Sequence, residues 1–218
     1  MSSGVDAPGE RLNDMLARVG LVPLDAVQVR RFEDYISLFV RWNTRINLSS
    51  IRDEEGILAR HFVESIACAR ALPAGISTLL DFGSGGGFPG IPIALCRPEV
   101  SVILAESQGK KAAFLQEAVR VLGISASVHA QRAELIGARF DCVTLRAVER
   151  MAEAVGMAAR LVGPEGWLAL MTTHLGLAGL QAAAGAEFSW DVVVPLPGGD
   201  ERVLALGERS VCWTSSAE

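Results

Sequence analysis

The sequence predicts an α/β fold in which a mostly parallel sheet, with an antiparallel C-terminal strand, follows an N-terminal helical segment. Two observations support this prediction. Apolar residues recur at helical spacing up to about residue 73, whereas from Ser77 onward short apolar runs alternate with helical patterns. Such alternation is typical of βαβ units, whose parallel strands are covered on both faces. We therefore divide the chain into a helical segment, residues 1–73, and a sheet domain, residues 74–218.

Three helices are predicted in the helical segment. The first has apolar residues at helical spacing and stops at Gly20, and the second follows Pro23. The third starts near Asp53, with acidic residues in its first turn, and runs to about Leu72. The apolar stripe of the second helix consists of Val29, Phe32, Tyr35, Ile36, Phe39 and Val40.

Seven strands are predicted in the sheet domain, with a helix over residues 110–123 after the second. The last two apolar runs are separated by Pro-Gly-Gly-Asp-Glu, which predicts a hairpin and an antiparallel final strand. The predicted strands are 77–82, 101–106, 126–131, 140–148, 166–173, 188–196 and 202–208.

Composition narrows the class of protein. No apolar stretch is long enough to span a membrane, and the N-terminus lacks the apolar core of a signal peptide. The cysteines, Cys68, Cys96, Cys142 and Cys212, show no paired spacing, so we expect no disulfide or metal site and a cytoplasmic location.

The net charge of the chain is −5, and all of it comes from residues 151–218, because residues 1–150 hold 17 bases and 17 acids. This balance disfavours a general nucleic-acid binder but permits a local basic face.

The stretch Leu79–Pro92 follows the first strand and holds five glycines, so a ligand is expected to approach its backbone closely. Its pattern fits two ligand classes. Gly85, Gly87 and Gly90 match the dinucleotide fingerprint, with Glu106 about twenty residues later to bind ribose hydroxyls. The same stretch, from Asp81 onward, also fits the acid-glycine pattern of methyltransferases that use S-adenosylmethionine (SAM).

Two features favour SAM. A pyrophosphate needs free N–H groups at a helix N-terminus, and Pro89 and Pro92 remove two of them. SAM carries no phosphate and has a cationic sulfonium, which an acid at Asp81 would suit. The fold expected is therefore a Rossmann-like, class I SAM-dependent methyltransferase sheet. An NAD(P)-dependent oxidoreductase is the alternative.

Arg146 stands at the C-terminal end of the fourth predicted strand, in Thr-Leu-Arg-Ala-Val, where a charged residue is unusual for a core strand. We interpret it as a site residue rather than a surface ion-pair partner. The chain has no Asn-Pro-Pro-Tyr or Asp-Pro-Pro-Tyr after this strand, which disfavours methylation of exocyclic amines. It also has no Pro-Cys nucleophile, and Cys142 lies within an apolar strand.

Several motifs occur in one order along the chain and together resemble a known family. They are RWNTRINLSSIRDEEGILARHFVES (41–65), DFGSGGGFPGIPIAL (81–95), ESQGKKAAFLQEA (106–118), QRAE (131–134) and FDCVTLRAV (140–148). This set resembles the ribosomal RNA small subunit methyltransferase G family, also called the glucose-inhibited division protein B family, over roughly residues 30–208. The resemblance implies SAM-dependent methylation of N7 of one guanosine in the 530 loop of 16S ribosomal RNA, on free RNA or on the small subunit.

The resemblance also implies roles for individual residues. Arg146 would face the transferred methyl group as the catalytic residue. The residues that would bind SAM are Gly83, Phe88, Glu106, Ser107, Gln108, Ala133, Glu134 and Arg146. In two places the chain departs from the family pattern: Met171 stands where a lysine is usual, and Glu208 lies near a usually basic strand end.

The chemistry of guanine N7 agrees with the small number of candidate bases in the chain. Guanine N7 has an in-plane lone pair and no proton, so its methylation needs orientation rather than a general base. N7 lies in the deep groove of an RNA helix, so the target base must be unpaired. The basic residues expected to contact RNA are Arg41, Arg45, Arg52, Arg60, Lys110 and Lys111. Trp42 is expected to be a core anchor, and His61 an interior histidine more than an RNA contact.

The protein is expected to act as a monomer. A non-catalytic ribosome-assembly factor that retains a SAM pocket is an alternative to an enzyme.

Overall fold

The computed structural model describes residues 7–199 and 201–210. The chain forms one seven-stranded mixed sheet in the order β3-β2-β1-β4-β5-β7-β6. The strands are β1 Thr78–Phe82, β2 Ser101–Ala105, β3 Ala126–His129, β4 Phe140–Arg146, β5 Val162–Thr173, β6 Phe188–Pro195 and β7 Arg202–Arg209. The helices are α1 Pro8–Arg18, α2 Ala26–Ile46, α3 Glu54–Ile57, α4 Glu64–Ala71, α5 Gly90–Cys96, α6 Gly109–Leu122, α7 Met151–Ala159 and α8 His174–Ala184.

The sheet matches the predicted topology. Strands β1 to β5 are parallel, and β7 pairs antiparallel with both β5 and β6. The hairpin prediction is therefore confirmed, and its second strand lies between β5 and the edge strand β6. The chain runs from β1 outward to β3 and then returns to β4 on the other side of β1. This reversal creates a crevice at the C-terminal ends of β1 and β4, where open α/β sheets bind ligands.

Helices α2 and α3 each begin at an aspartate that caps the first turn. Asp25 caps α2 by accepting from the amides of Val27 and Gln28, and the Gln28 side chain completes the capping box. Asp53 caps α3 by accepting from Gly56 N at 2.6 Å. The predicted third helix is continuous over residues 54–71 but contains a π-helical stretch, Leu58–Val63, between α3 and α4. No sequence pattern indicates this stretch, although such stretches often occur at functional sites.

Successive side chains of a strand point to opposite faces of the sheet, and each face has its own hydrophobic core. Leu79, Val102 and Leu104 pack with the helical segment, α5 and α6. Leu80 and Val143 face the opposite way and pack with α7 and α8. The helical segment therefore shares one continuous core with the sheet.

The fifth strand is longer than predicted. It starts at Val162 rather than at residue 166, because Val162 already pairs with Phe140 before a register shift. Glu165 takes a positive φ of 57° within this irregular stretch. The predicted bounds place Gly-Pro-Glu before the strand, whereas the structure uses these residues as a bulge inside it.

Two interpretations of side chains in the core are confirmed. Cys142 and Cys68 are fully buried free thiols, while Cys212 lies outside the described residues. Trp42 packs against the core and donates from Nε1 to Glu117 at 2.9 Å. No helix in the described part of the chain has the length and apolar character needed to cross a membrane.

Candidate functional site

A cavity of about 790 Å³ opens at the C-terminal ends of β1, β2 and β4. Its volume lies toward the upper end of the range for small-molecule sites, about 300–1,000 Å³, so it is large enough for a cofactor-sized ligand. All eight residues predicted to bind a cofactor line this cavity: Gly83, Phe88, Glu106, Ser107, Gln108, Ala133, Glu134 and Arg146. Residues from four separate stretches of the chain are thus brought to one place.

The glycine-rich loop after β1 is hydrogen-bonded to the C-terminal end of β2. The amides of Gly83 and Ser84 both donate to the carbonyl oxygen of Ala105, at 3.0 and 2.9 Å. The carboxylate of Glu106 accepts from Gly85 N at 3.0 Å and from Gln108 N at 2.8 Å. Glu106 therefore positions two backbone segments that border the cavity.

The glycines of this loop serve two different purposes. Gly85 has a φ of +55°, and a Cβ there would meet no atom closer than 3.9 Å, so its bare backbone faces open space in the cavity. Gly87 and Gly90 do not line the cavity. A Cβ on Gly87 would lie 2.7 Å from Tyr35 Oη, and one on Gly90 would lie 2.4 Å from a Leu104 methyl carbon. These two glycines therefore permit protein packing rather than ligand approach.

The expectation that Asp81 faces a cationic ligand is wrong. Asp81 is buried and does not line the cavity. Its Oδ2 accepts from Gly90 N at 3.2 Å and its Oδ1 accepts from the Thr144 hydroxyl at 3.0 Å. Burial raises the pKa of Asp81 to about 6, against the effect of these hydrogen bonds. The carboxyl group holds the loop and helix α5 to the sheet.

The start of α5 offers no amide to a phosphate. Pro89 and Pro92 have no N–H, Gly90 N donates to Asp81, and Ile91 N donates to the Gly87 carbonyl at 2.8 Å. The pyrophosphate of a dinucleotide requires free amides at this point. The geometry therefore disfavours the dinucleotide interpretation for the reason given from the sequence.

Arg146 ends β4 in the wall of the cavity and is largely buried. Its Nη2 donates to the Arg60 carbonyl and to His61 Nδ1, each at 2.7 Å. Its guanidinium also lies 5.8 Å from the centre of the Phe88 ring. Burial lowers the pKa of Arg146 to about 10, so the group stays protonated at neutral pH. In the described part of the chain no carboxylate lies within ion-pair distance of it, and its guanidinium contacts backbone and ring atoms instead.

His61 also lines the cavity, although it is not among the cofactor residues predicted from the sequence. Its ring stacks on Phe88 with centroids 4.9 Å apart, and its Nε2 lies 2.6 Å from Ser49 Oγ. Burial, followed by the charges of Arg146, Arg60 and Arg202, lowers the pKa of His61 to about 3. His61 is therefore a neutral, hydrogen-bonded interior histidine that also borders the cavity.

The residues predicted to contact RNA fall in different surroundings. Lys111 lines the cavity, and Lys110 and Arg45 are exposed. Arg41 pairs with Glu117 at 2.6 Å. Arg52 donates to the Asn47 side chain. Arg60 lies against a buried carboxylate, that of Glu64, at 2.9 Å.

Sequence reasoning missed Glu64. Glu64 is fully buried and pairs with Arg60 and with Arg202 of β7, and no local pattern signals a partner 138 residues away. Met171 is 2% exposed and packs in the core beside Leu204. Met171 therefore offers no surface that could contact RNA. Glu208, the other departure, is exposed on β7.

Comparison with known proteins gives a consistent result. The family model described as rRNA small subunit methyltransferase G matches residues 28–188. The chain is 46% identical over 149 residues to "Ribosomal RNA small subunit methyltransferase G" of Roseiflexus sp., and this match covers 64% of each chain. It thus spans just under two thirds of that relative. A protein of the same name from Neisseria meningitidis serogroup A is 40% identical over 164 residues, covering 74% of this chain and 78% of the relative.

Solved structures resemble the fold. A putative O-methyltransferase from Klebsiella pneumoniae has a TM-score of 0.60 at 14% identity, covering 92% of this chain and 96% of its own. TrmN from Thermus thermophilus has a TM-score of 0.56 at 22% identity, covering 78% of this chain and 52% of its own. At such identities the likeness concerns the fold alone.

Proposed function

We propose a reaction for this chain from one premise: it belongs to the ribosomal RNA small subunit methyltransferase G family. The reaction is transfer of a methyl group from SAM to N7 of one guanosine in the 530 loop of 16S ribosomal RNA. The observation that carries the proposal is the convergence of all eight predicted cofactor residues on one cavity at the end of β1, β2 and β4. A cytoplasmic location and action as a monomer are part of the proposal.

The cavity residues fit SAM. The open space above Gly85 suits a ligand without phosphate, because the nearby amides are already used within the protein. Glu106 holds the loop with one lone pair of each carboxylate oxygen, so each oxygen keeps capacity to accept from a ribose hydroxyl. Ala133 and Glu134 border the end of the cavity that would hold adenine, and Arg146 borders the end near the reacting groups. When bound there, SAM supplies an electrophilic methyl group.

The chain's own residues provide orientation and no proton transfer. Guanine N7 attacks through a lone pair and carries no proton, so no base is required. In the part of the chain that the structure describes, His61 is the one histidine bordering the cavity, and hydrogen bonds occupy both of its nitrogens. Arg146 cannot donate to N7 during the reaction, because that lone pair attacks carbon. It can instead hold guanine O6 or an anionic group beside it.

The deciding experiment maps N7-methylguanosine in ribosomal RNA. Small subunits lacking the modification are incubated with the purified protein and SAM, and the RNA is then cleaved chemically at N7-methylguanosine. We expect one new cleavage site in the 530 loop. Methylation elsewhere, or none, contradicts the proposal. Binding of SAM without turnover would instead support a non-catalytic assembly factor, and tryptophan quenching by NADH but not SAM would support an oxidoreductase.

A further inference from the structure

Beside the cavity, two arginines from different elements pair with one buried carboxylate, and a third arginine is hydrogen-bonded to the backbone of one of them. Glu64, the first residue of α4, is fully buried. Arg60 Nε lies 2.9 Å from its Oε1, and Arg202 donates from Nη2 to its Oε2 at 2.9 Å. Arg146 joins them from β4 through its hydrogen bond to the Arg60 carbonyl. We call these four residues the arginine cluster.

The arginine cluster carries more positive than negative charge. Among the residues that the structure describes, Glu64 is the one acid within 4 Å of Arg60 or Arg202, and no acid lies within 4 Å of Arg146, so the three guanidinium groups of the cluster have one carboxylate between them. The Nε–H groups of Arg60 and Arg202 are buried: that of Arg202 has no hydrogen-bond partner in the described part of the chain, and that of Arg60 lies 2.9 Å from Glu64 Oε1 without hydrogen-bond geometry. Burying cations without full compensation destabilises a fold. The arrangement is therefore expected to serve a ligand that brings negative charge.

The positive charge is accessible and reaches the cavity. The Arg60 side chain is 38% exposed and that of Arg202 is 18% exposed. The turn between β6 and β7 lies against the cluster, because a Cβ on Gly198 would be 3.6 Å from both Arg60 Cδ and Glu64 Oε1. Arg60 directly precedes His61, and the Arg60 carbonyl accepts from Arg146; both His61 and Arg146 line the cavity. An anion at the cluster would thus lie beside the cofactor cavity.

We propose that Arg202, together with Arg60, binds a phosphodiester of the RNA strand that carries the target guanosine. This inference rests on the proposed function. Guanidinium forks match the two non-bridging oxygens of a phosphodiester, and such contacts position a strand without reading its sequence. Arg202 is not among the RNA contacts predicted from the sequence, because it lies in the acidic part of the chain, residues 151–218. In the folded protein Arg202 nevertheless lies beside residues 1–150, in which acids and bases are equal in number, because it pairs with Glu64.

The test measures binding to unmethylated small ribosomal subunits as a function of salt. When a variant neutralises one phosphate fewer, the slope of log K against log salt decreases by about 0.7 for a single strand. Arg202→Gln is expected to lower this slope by about that amount and weaken binding several-fold, with less than a twofold change in SAM affinity. Arg209→Gln is the matched control. Arg209 lies at the other end of β7, has similar exposure (20%), and is held by the Val162 carbonyl at 2.6 Å.

Arg60→Gln is the second variant and leaves the pair of Arg202 and Glu64 in place. The Arg60→Gln variant should also lower the slope of log K against log salt. If a thermal unfolding assay shows that Arg202→Gln does not fold, Arg60→Gln alone tests the phosphate contact. Wild-type slope and affinity in every folded variant would overturn the phosphate contact while leaving the proposed function intact. If the wild-type protein itself methylates no ribosomal RNA, it is the proposed function that fails. An equal loss of affinity in Arg209→Gln would show a general charge effect and would also overturn the inference.

Discussion

The guanidinium of Arg146 donates to Nδ1 of His61 at 2.7 Å, and this bond determines which imidazole nitrogen carries the hydrogen. Arginine has no acceptor, so Nδ1 must be the unprotonated nitrogen. Nε2 then carries the hydrogen and donates to Ser49 Oγ at 2.6 Å. A protonated His61 would place a hydrogen on Nδ1 against the Arg146 guanidinium. The two residues therefore form a pair in which one must be charged and the other neutral.

His61 is expected to position Arg146 without contacting the reacting atoms. The amide oxygen of His61→Asn can replace Nδ1 as the acceptor for Arg146, whereas that of His61→Gln reaches toward the Nε2 position. We expect His61→Gln to lower kcat for methyl transfer about tenfold or more and His61→Asn to lower it less, with similar SAM affinity in both. Single-turnover methylation and calorimetric SAM titration measure the two effects. Equal kcat values in the two variants would contradict a positioning role.

Arg146→Lys should keep the positive charge but lose the planar fork that reaches both Arg60 O and His61. We expect methyl transfer at saturating SAM to fall more than tenfold in Arg146→Ala and less in Arg146→Lys. Leaving buried acceptors unpaired also costs about 1–3 kcal/mol of unfolding free energy. Thermal unfolding run beside the assay separates the two effects. Activity lost only in proportion to the unfolded fraction would assign Arg146 a structural role.

The neutral state of His61 should make folding sensitive to acid. Its folded pKa, about 3, lies below the ordinary 6.5, so the unfolded chain binds more protons between these values. Stability from this residue is present above pH 6.5 and falls as pH drops toward 3, by at most about 1.4 kcal/mol per pH unit. Asp81 has a folded pKa raised from 3.8 to about 6, so its contribution falls instead as pH rises through that window.

Denaturant unfolding of wild type and His61→Gln between pH 4 and 7 isolates the histidine. The wild type should lose stability relative to the variant as pH falls below 6.5. A stability difference independent of pH would contradict the assignment of a neutral His61.

Asp81→Asn should leave SAM affinity within about threefold of wild type at neutral pH, because Asp81 does not line the cavity. An asparagine can still accept from Gly90 N and donate to the Thr144 hydroxyl oxygen. Calorimetric titration with SAM checks this. A loss of affinity of about a hundredfold, without unfolding, would restore the hypothesis that the carboxylate acts on the ligand.

Glu106→Gln should weaken SAM binding by about 1–3 kcal/mol. A glutamine has one acceptor oxygen, so it cannot hold both Gly85 N and Gln108 N as Glu106 does. The matched control is Glu99→Gln, a surface carboxylate that pairs with Arg97 at 2.8 Å. The control should bind SAM as the wild type does. Unchanged SAM affinity in Glu106→Gln would show that the Glu106 carboxylate is not needed for SAM binding.

The sequence predicts the elements well but not the orientation of every polar side chain. Strands such as β1 and β2 have clear apolar runs, so their predicted bounds agree with the structure to within one residue. The interpretation of Asp81 is wrong, because position in a strand does not tell whether a side chain faces a ligand or a neighbouring helix. Glu64 escapes prediction because its partner Arg202 is distant in sequence. Both depend on tertiary packing, which no local pattern encodes.

Tyr35 of α2 is fully buried and donates its hydroxyl hydrogen to the Gly86 carbonyl at 2.6 Å, so a residue of the first third of the chain holds the loop that borders the cavity. Phe88 packs between Tyr35 and His61, with ring centroids 5.3 and 4.9 Å away. A shortened chain of residues 74–218 would lack these partners and expose aromatic surface to water. Ligand affinity should therefore be measured on a chain that keeps the helical segment. Its helices and sheet should melt in a single calorimetric transition.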